Sequence, residues 1–570
     1  MYWLVNRPMV DKSAPSDPSG KGSAVSELLT GGEAIVQGLV SHGVDTVFAL
    51  PGAQIYGLID ALAQSGDRIT TIGARHEQTA AYMAFGYARA LGKPGVCAVV
   101  PGPGILNAAS AILTAHSCNA PILAITGDVT THFKNRERGQ LHEIRNQLGL
   151  LREITKWAGH IESAAEAPGY IAQAFEEMTT GRQGAVALQM PWDVLSRKAL
   201  VTPLIAADSR KPPEIDLDAI DAAASLLAGA KAPMIFVGSG ALDASAEVTE
   251  LAEVLGAPVV SFRGGRGVVS DDHPLGYTIA AGARLWEQTD VALVVGSRFE
   301  LLDLRWRHRP KGLKIVRIDI DPAEMRRLPA DIAVVGDAAK GSRLLAQALS
   351  RRVRVSTRAA DLAENKAAAA AAIQVVQPQV DYLRVIRDVL PRDGFFVEEI
   401  SQVGFASIFG FPVYKARTLV TAGFQGTLGF GFPTALGVKV AFPDKQVVSI
   451  TGDGGFMFAA QELATAVQYG INLVTIVFNN NAYGNVLRDQ QMTYAGRLLG
   501  SELMNPDFVR FAESFGVQAH RVATPQSLRP VLERAFSAAA PVLIEVPIPR
   551  GGDGNPWPFI LPKFPEQTAF

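Results

Sequence analysis

Cysteine is nearly absent from this chain: Cys97 and Cys118 are the only two in 570 residues. They have neither the spacing of a metal site nor the pattern of a disulfide framework, and both lie in apolar segments. This scarcity excludes a disulfide-stapled secreted domain and indicates a reducing compartment. We therefore expect a cytoplasmic protein.

Runs of charge of one sign are also missing. Lys and Arg total 53 against 55 Asp and Glu, which gives a net charge of −2, and no dense basic block occurs. Proteins that bind nucleic acid or anionic membranes usually carry such a block. We expect neither of them as a partner.

Long apolar runs are absent as well. Arg7 and Pro8 interrupt the first ten residues, which are too short for a signal peptide, and no later segment approaches the length of a membrane span. The residues that follow are rich in Ser, Gly, Pro and Lys, a composition typical of mobile tails. Residues 1–27 are predicted to be a flexible tail.

Apolar residues are plentiful, at 48% of the chain, and helix-like and strand-like segments alternate along it. This pattern predicts an α/β protein with several cores. We predict three doubly wound parallel-sheet domains, at residues 28–195, 214–350 and 381–550. Residues 196–213 and 351–380 are predicted linkers, the second with six consecutive alanines that favour a helix, and residues 551–570 a C-terminal tail.

The strongest site signal lies in the third unit. Gly452-Asp453-Gly454 ends one apolar run, and Asn480 ends the next, after a helix-like stretch. Two such runs predict adjacent parallel strands, so Asp453 and Asn480 should meet at the edge where open α/β sheets bind ligands. A carboxylate beside a carboxamide suits magnesium, and the glycines allow a diphosphate to approach the backbone.

The third unit also echoes the first. Apolar strands lead into Thr126-Gly127-Asp128 and into Thr451-Gly452-Asp453. Two similar sheets flanking a different middle sheet is the simplest architecture that this echo suggests.

These motifs, with others along the chain, resemble the acetolactate synthase group of thiamin-diphosphate-dependent enzymes over about residues 28–550. The other carrying segments are Pro51-Gly52-Ala53, Arg75-His76-Glu77-Gln78, Gly86-Tyr87-Ala88-Arg89, Gly102-Pro103-Gly104, Ile154-Thr155-Lys156 and Gly426-Thr427-Leu428-Gly429-Phe430-Gly431. The resemblance implies a pyrimidine-binding domain, a central domain and a diphosphate-binding domain, in that order. It further implies a homodimer or homotetramer with active sites at subunit interfaces.

The implied reaction is the decarboxylation or carboligation of a 2-oxo acid through a carbanion-enamine intermediate, with thiamin diphosphate and Mg²⁺ as cofactors. In this family a glutamate beside the cofactor pyrimidine promotes the reactive tautomer, and Glu77 matches it. Enclosure at an apolar interface should raise the pKa of such a carboxyl group. The alternative for Glu77 is an ordinary acid in the first turn of a helix.

The resemblance also assigns the residues that hold the cofactor. Leu428 supplies the apolar prop under the bent cofactor, where many relatives have Met, and the backbone carbonyl of Ala482 completes the metal ligands of Asp453 and Asn480. The implied cofactor-binding set is Glu77, Gln402, Gly426, Leu428, Gly452, Asp453, Gly454, Gly455, Asn480, Ala482 and Tyr483.

Substrate contacts depart from the family pattern. Gln54 lies where benzaldehyde-lyase-like relatives carry a histidine, and a substrate contact and a structural role are equally open. Gln140 is a second candidate, with a surface-loop residue as its alternative. Asp489 lies where acetohydroxyacid synthases have the tryptophan that shapes the acceptor pocket, so the acceptor is expected to differ.

Alternatives remain open at this point. The middle unit has a Gly238-Ser239-Gly240 turn and a Ser297-Arg298-Phe299 segment, so FAD without a redox role is an expectation beside a purely structural domain. Within the same chemistry, the alternatives are an aromatic 2-oxo acid decarboxylase and a benzaldehyde-lyase-type or 2-hydroxyacyl lyase. Outside it, they are a nicotinamide-dependent oxidoreductase and a catalytically silent paralogue.

Overall fold

A computed structural model describes residues 25–204, 211–306, 308–352 and 358–564. The flexible tail predicted for residues 1–27 lies almost entirely outside this range. Three six-stranded sheets, each fully parallel, follow one another along the chain, which confirms the predicted class of three doubly wound α/β domains. Within the described residues, no helix is both long and apolar enough to cross a membrane.

Within residues 25–204, the N-terminal domain forms eight strands and seven α-helices. The strands are β1 (Glu27–Thr30), β2 (Thr46–Ala49), β3 (Thr70–Gly73), β4 (Gly95–Val99), β5 (Ile122–Asp128), β6 (Trp157–His160), β7 (Val186–Pro191) and β8 (Lys198–Val201). The helices are α1 (Gly31–Ser41), α2 (Tyr56–Gln64), α3 (Glu77–Leu91), α4 (Pro103–Ser117), α5 (Gln147–Ile154), α6 (Ala167–Thr179) and α7 (Trp192–Ser196). Strands β1 and β8 pair antiparallel to each other, so part of the predicted linker 196–213 is a strand too short to be evident from sequence.

The described residues of the central domain form six strands and five α-helices. The strands are β9 (Pro233–Val237), β10 (Val259–Ser261), β11 (Gly276–Thr278), β12 (Val291–Val295), β13 (Lys314–Asp319) and β14 (Ile332–Val335). The helices are α8 (Leu217–Ala228), α9 (Ser245–Leu255), α10 (Ile279–Ala283), α11 (Glu324–Arg327) and α12 (Ala338–Ser350). The alanine-rich segment forms the predicted helix, α13 (Ala359–Ala372).

The C-terminal domain has six strands and nine helices within the described residues. The strands are β15 (Phe395–Val397), β16 (Leu419–Val420), β17 (Val447–Gly452), β18 (Val474–Asn479), β19 (Gln518–Arg521) and β20 (Val542–Pro547). The helices are α14 (Gln379–Val389), α15 (Gln402–Gly410), α16 (Gly431–Ala441), α17 (Asp453–Phe456), α18 (Leu463–Gln468), α19 (Gly484–Thr493), α20 (Phe508–Ser514), α21 (Pro525–Ser537) and α22 (Trp557–Ile560).

The first and third sheets have the same topology. Their strand orders are β3-β2-β4-β5-β7-β6 and β16-β15-β17-β18-β20-β19, which match strand for strand, whereas the central order β11-β10-β9-β12-β13-β14 differs. The predicted echo is thus present in the folds. The two Thr-Gly-Asp motifs do not coincide, since one ends the fourth strand of its sheet and the other the third; the turn equivalent to Gly452-Asp453-Gly454 is Gly102-Pro103-Gly104, after β4.

The two equivalent domains share a core in which α3 packs on α16. A β-carbon at Gly86 would collide with the Thr434 carbonyl oxygen, and one at Gly437 would collide with the Met83 carbonyl oxygen. Phe85 and Phe430 lie edge to face beside this crossing, with ring centroids 5.5 Å apart. The helix that begins at Glu77 is therefore packed backbone to backbone against the C-terminal domain.

Residues 551–564, which the composition predicts as part of a tail, fold back onto the C-terminal domain. Ile560 and Phe564 are buried in the core that the central and C-terminal domains share. Glycine and proline dominate the start of this segment, and its apolar anchor is only one short helix, α22, so this return is not evident from the composition.

Candidate active site

The carboxyl ends of β17 and β18 bring Asp453 and Asn480 together, as the sequence predicts. Gly452 and Phe478 are direct neighbours in the ladder. The Ala482 backbone N–H donates to Asp453 Oδ2 at 3.2 Å and to Asn480 Oδ1 at 3.1 Å. Because both oxygens lie beside one nitrogen, they converge on a single point at the sheet edge.

Two residues outside the predicted set complete this cluster. The Asn505 side-chain amide donates to Asp453 Oδ2 at 2.6 Å, and the Asn480 amide donates to Asp553 Oδ2 at 2.8 Å. Burial raises the pKa of the Asp453 carboxyl, while the bond from Asn505 acts to lower it. No short motif marks Asn505 or Asp553, because each reaches the site from a separate loop.

Glycines in the turn after β17 make room for neighbouring side chains. A β-carbon at Gly454 would lie 2.5 Å from the Tyr483 ring, and one at Gly455 would lie 3.1 Å from Glu399 and 3.4 Å from Leu428. The turn therefore gathers Tyr483 and Leu428 of the predicted set. An open cavity of about 440 Å³ lies against it, lined also by Met457, Phe458 and Asn505.

Gln402 lies at the start of α15, where a β-carbon at Gly484 would lie 3.4 Å from its side chain. It is buried, and neither its amide oxygen nor its amide nitrogen has a partner in the structure. An unpaired buried amide is costly unless a ligand pairs with it, so Gln402 is suited to bind a polar group. Gln54 occupies the equivalent position after the first strand of the N-terminal sheet.

The loop that carries Gly426 and Leu428 is held by Glu399, a residue that the sequence did not single out. Gly426 has a φ of +57°, in the left-handed region that favours glycine. Glu399 accepts the backbone N–H groups of Gly431, at 2.6 Å, and Ile400, at 2.9 Å. Burial raises the pKa of Glu399 to about 7, despite these donors.

Glu77 lies at the N-terminus of α3, at the edge of the N-terminal sheet. It is half-buried, accepts a hydrogen bond from Asn107 at 3.0 Å, and lies beside Gly104 of the Gly102-Pro103-Gly104 turn. No hydrogen bond or ion pair among the described residues joins Glu77 to Asp453. The chain therefore presents these two halves of the predicted site separately.

The predicted substrate residues fall into two places. Gln54 is buried near Glu77's sheet edge, where its amide donates to the Leu141 carbonyl at 2.7 Å and leaves its own oxygen unpaired. Gln140 is half-buried in the adjoining loop, and its backbone N–H donates to Glu143. Asp489 lies on α19, is exposed, and accepts from Asn485 at 3.3 Å.

Gln147 is a further residue that sequence reasoning missed. Its side chain accepts the Gly102 N–H at 3.0 Å and donates to the Gly127 carbonyl at 2.9 Å, so it ties together two turns at the N-terminal sheet edge. Its first two neighbours along the chain, Asn146 and Leu148, give no pattern that distinguishes it from a surface helix residue.

A cavity of about 260 Å³ lies at the switch point of the central sheet. The glycines of its two turns pack on each other: a β-carbon at Gly240 would lie 2.8 Å from Gly296 Cα. Arginines that line it already have protein acceptors, as Arg298 has in the Ser117 carbonyl at 2.5 Å and Arg89 in the Gly264 carbonyl at 3.3 Å.

Three family models match the chain in the order of its sheets. The N-terminal TPP binding domain of thiamine pyrophosphate enzymes matches residues 29–150, their central domain residues 220–348, and their C-terminal TPP binding domain residues 400–546. These matches support the thiamin interpretation over a nicotinamide-dependent oxidoreductase.

Curated relatives align over most of the chain. It is 34% identical to the probable acetolactate synthase large subunit of Methanocaldococcus jannaschii, over 91% of this chain and 92% of that protein. It is 33% identical to the probable 2-ketoarginine decarboxylase AruI of Pseudomonas aeruginosa, over 91% and 94%. Identity to the acetolactate synthase isozyme 3 large subunit of Escherichia coli is 31%, over 90% and 92%. With all three domains matched in order, the protein belongs to the thiamine pyrophosphate enzyme family.

Proposed function

We propose that this protein uses thiamin diphosphate and Mg²⁺ to decarboxylate a 2-oxo acid and to join the remaining acyl unit to a carbonyl acceptor, as acetolactate synthases do. The observation that carries the proposal is the convergence of Asp453 and Asn480 oxygens beside a glycine turn and the unpaired amide of Gln402. This arrangement offers hard oxygen ligands and backbone N–H groups side by side, as a magnesium diphosphate requires.

Magnesium would be held by Asp453, Asn480 and the backbone carbonyl of Ala482. Among the described residues, no group of three His, Cys, Asp or Glu side chains is gathered for a metal, and this donor set is of another type, with one carboxylate and neutral oxygens. Mg²⁺ commonly takes only one or two carboxylates and shares the rest of its shell with phosphate and water. The residues therefore fit the ion.

The cofactor would lie across the two sheet edges. Its diphosphate would contact the turn from Gly452 to Gly455, and its pyrimidine the Gly426 and Leu428 backbones, with the Leu428 side chain beneath. When bound, thiamin diphosphate supplies a thiazolium carbon that attacks the substrate carbonyl. Glu77 would hold a proton at the pyrimidine edge, and the apolar residues around Leu428 would exclude water.

We propose that Glu77 comes from a second copy of the chain. Apolar side chains are exposed beside both halves of the site: Leu106 is 48% exposed near Glu77, and Phe458 is 48% exposed beside the glycine turn. Exposed apolar side chains next to incomplete sites are typical of an interface between subunits. A homodimer is the smallest assembly that completes the site, and a homotetramer contains two such dimers.

The substrate would lie between Gln54 and α19. The unpaired Gln54 oxygen is suited to accept a hydrogen bond from the substrate, and Gln140 lies in the loop next to it. Asp489 places a carboxylate at the acceptor side, which favours a polar or cationic group there over an aliphatic one. A second candidate function follows from Asp489: decarboxylation without ligation of a 2-oxo acid with a cationic side chain, as the relative named for 2-ketoarginine suggests.

A substrate panel tests the proposal. The purified protein, loaded with thiamin diphosphate and Mg²⁺, is incubated separately with pyruvate, benzoylformate and 2-ketoarginine, and carbon dioxide and ligated products are followed. We expect carbon dioxide and a ligated product from pyruvate. Carbon dioxide released from 2-ketoarginine alone would favour the second candidate, and carbon dioxide released from benzoylformate alone would favour an aromatic decarboxylase or lyase. No reaction with any of the three substrates would contradict the proposal.

FAD does not fit the central cavity well. Its glycine turns pack against each other, and its arginines are already bonded to protein carbonyls or carboxylates. We propose a structural central domain without flavin, in a cytoplasmic protein whose two cysteines stay free. The purified protein should lack the visible absorption of a flavin, and a yellow protein with one flavin per chain would contradict this.

A further inference from the structure

The start of α3, which presents Glu77, is held by the C-terminal domain of the same chain. Three residues around α18 make this contact. The Tyr469 hydroxyl accepts the Gly73 N–H at 2.9 Å, and the Gln468 amide oxygen accepts from the Arg75 guanidinium at 2.7 Å. The third residue, Glu462, makes the most extensive contact.

Glu462 is fully buried, and its carboxylate faces the first turn of α3. The Arg75 backbone N–H lies 2.9 Å and 3.2 Å from its two oxygens, and the Thr79 hydroxyl lies 2.6 Å from Oε1. The Thr465 hydroxyl bonds to Oε2. The carboxylate thus binds residues on both sides of Glu77 in the sequence.

Such a contact has a clear physical basis. The dipole of a helix favours an acidic group beside its N-terminus. Glu462 lies there, bound to the Arg75 N–H just before the helix and to the Thr79 hydroxyl in its first turn. Caps usually come from the helix's own sequence, and here the His76 ring accepts the Gln78 N–H at 3.2 Å. Glu462 adds an anchor from another domain, which fixes the start of α3 relative to the α3–α16 crossing.

We propose that Glu462 is a positioning residue for the activation of the cofactor, because it fixes the direction in which the α3 N-terminus presents Glu77. The inference rests on the proposed role of Glu77. A side chain displaced by about 1 Å can lose on the order of 100-fold in rate without any change in its own chemistry.

Glu462→Gln tests this, because it keeps the shape while it removes the acidic group and replaces Oε2, which accepts from Arg75 and Thr465, with an amide nitrogen that cannot accept. In the cofactor-free protein, backbone amides 75–79 should exchange with deuterium at least about 10-fold faster than in the wild type. With thiamin diphosphate and Mg²⁺ bound, proton exchange at the thiazolium carbon should slow by about 10- to 100-fold. Affinity for the cofactor should change less than about 3-fold, since the diphosphate site is untouched.

Glu33→Gln is the matched control. Glu33 caps α1 by accepting the Thr30 N–H at 2.7 Å, in the same domain and away from the site. The Glu33→Gln substitution should speed deuterium exchange of backbone amides at the start of α1 and leave proton exchange at the thiazolium carbon as in the wild type. Thr79→Val, which removes one bond to Glu462, is a milder second variant should Glu462→Gln not fold, and it should slow thiazolium exchange in the same direction.

Glu77→Gln distinguishes a failure of the role proposed for Glu77 from a failure of the role proposed for Glu462. If Glu77→Gln leaves thiazolium exchange unchanged, the proposed role of Glu77 is wrong. If Glu77→Gln abolishes that exchange while Glu462→Gln and Thr79→Val keep the wild-type rate, the positioning role of Glu462 is overturned and the role of Glu77 stands.

Discussion

At the residue scale, Asp453 is the one carboxylate among the three groups proposed to bind Mg²⁺, beside the Asn480 amide and the Ala482 carbonyl. Its Oδ2 accepts from Asn505 and Ala482, so its removal would take one acceptor from each of these donors as well as removing a charge. The charge is the property that a cation needs, and Asp453→Asn removes it with little change of shape.

We therefore expect Asp453→Asn to weaken Mg²⁺-dependent binding of thiamin diphosphate by at least about 100-fold, since loss of a group that only supports a ligand already costs about 10- to 100-fold. Titration calorimetry in the presence of Mg²⁺ measures the change. Asp489→Asn, an exposed acid on α19, is the control and should bind the cofactor as the wild type does. Equal affinities in both variants would refute the metal assignment.

Glu399 leads to a prediction about pH. The pKa of Glu399 rises to about 7 on folding, from an ordinary value of 4.5. Between these two pH values the folded protein therefore holds a proton that the unfolded chain has released. The stability from this group is fully present below pH 4.5 and is lost as the pH rises toward 7. The loss is about 3 kcal/mol, at about 1.4 kcal/mol per pKa unit.

Glu399→Gln should therefore flatten the fall in the thermal midpoint between pH 4.5 and 7. Scanning calorimetry of wild type and variant across this range measures the difference, which cancels the contribution of other titrating groups. Parallel curves for the two proteins would mean that Glu399 keeps an ordinary pKa in the fold.

The sequence predicted the positions of individual residues where a motif directly follows a strand, while their roles stay predictions. Asp453, Asn480 and Gly454 were predictable because the turn directly follows an apolar run. Asn505, Asp553 and Glu399 were not, since each acts through a contact across the fold, and no local pattern distinguishes it from an ordinary loop or strand-end residue.

At the element scale, the α3–α16 crossing connects the two cofactor-binding domains. Its helices approach so closely that Gly437 cannot carry a β-carbon without moving the Met83 backbone. We expect Gly437→Ala to destabilise the protein by about 1–3 kcal/mol, the usual cost of overpacking a core.

Differential scanning calorimetry checks the Gly437→Ala prediction. Gly169→Ala is the matched control, since Gly169 lies inside α6 with only a 4.0 Å contact to Leu204. That substitution should stabilise slightly, by up to about 1 kcal/mol, because alanine favours a helix interior. Similar thermal midpoints for both variants would mean that α3 and α16 can move apart without loss of stability.

Elements were predictable in proportion to their length and burial. Apolar runs such as those of β5, β12 and β18 are buried on both faces, so they are continuous in the sequence. The short pair β1 and β8 and the returning helix α22 have at most four residues each, too few to establish a periodicity.

At the scale of the whole molecule, the chain carries two sheets of identical order, and the edge of each contains half of the proposed site. Glu77 and Gln54 lie at one edge, and Asp453, Asn480 and Gln402 at the other. The sequence indicates the repeated topology only through two Thr-Gly-Asp motifs, and these lie on non-equivalent strands. The repeat is hard to find in the sequence because topology persists after sequence similarity has been lost.

This division predicts a dimer with a two-fold axis, in which each active site combines Glu77 of one chain with Asp453 of the other. Glu77→Gln and Asp453→Asn chains, co-expressed with different tags and purified through both, form a hybrid in which one site carries both substitutions and the other carries neither. Each variant alone should be inert in proton exchange at the thiazolium carbon.

Thiazolium proton exchange in that hybrid tests the central claim most directly, because it needs no knowledge of the substrate. We predict that the hybrid recovers about half of the wild-type rate per dimer, from its one intact site. A hybrid as inert as its two parents, beside a doubly tagged wild type that exchanges normally, would contradict the account of a thiamin diphosphate site shared between two chains.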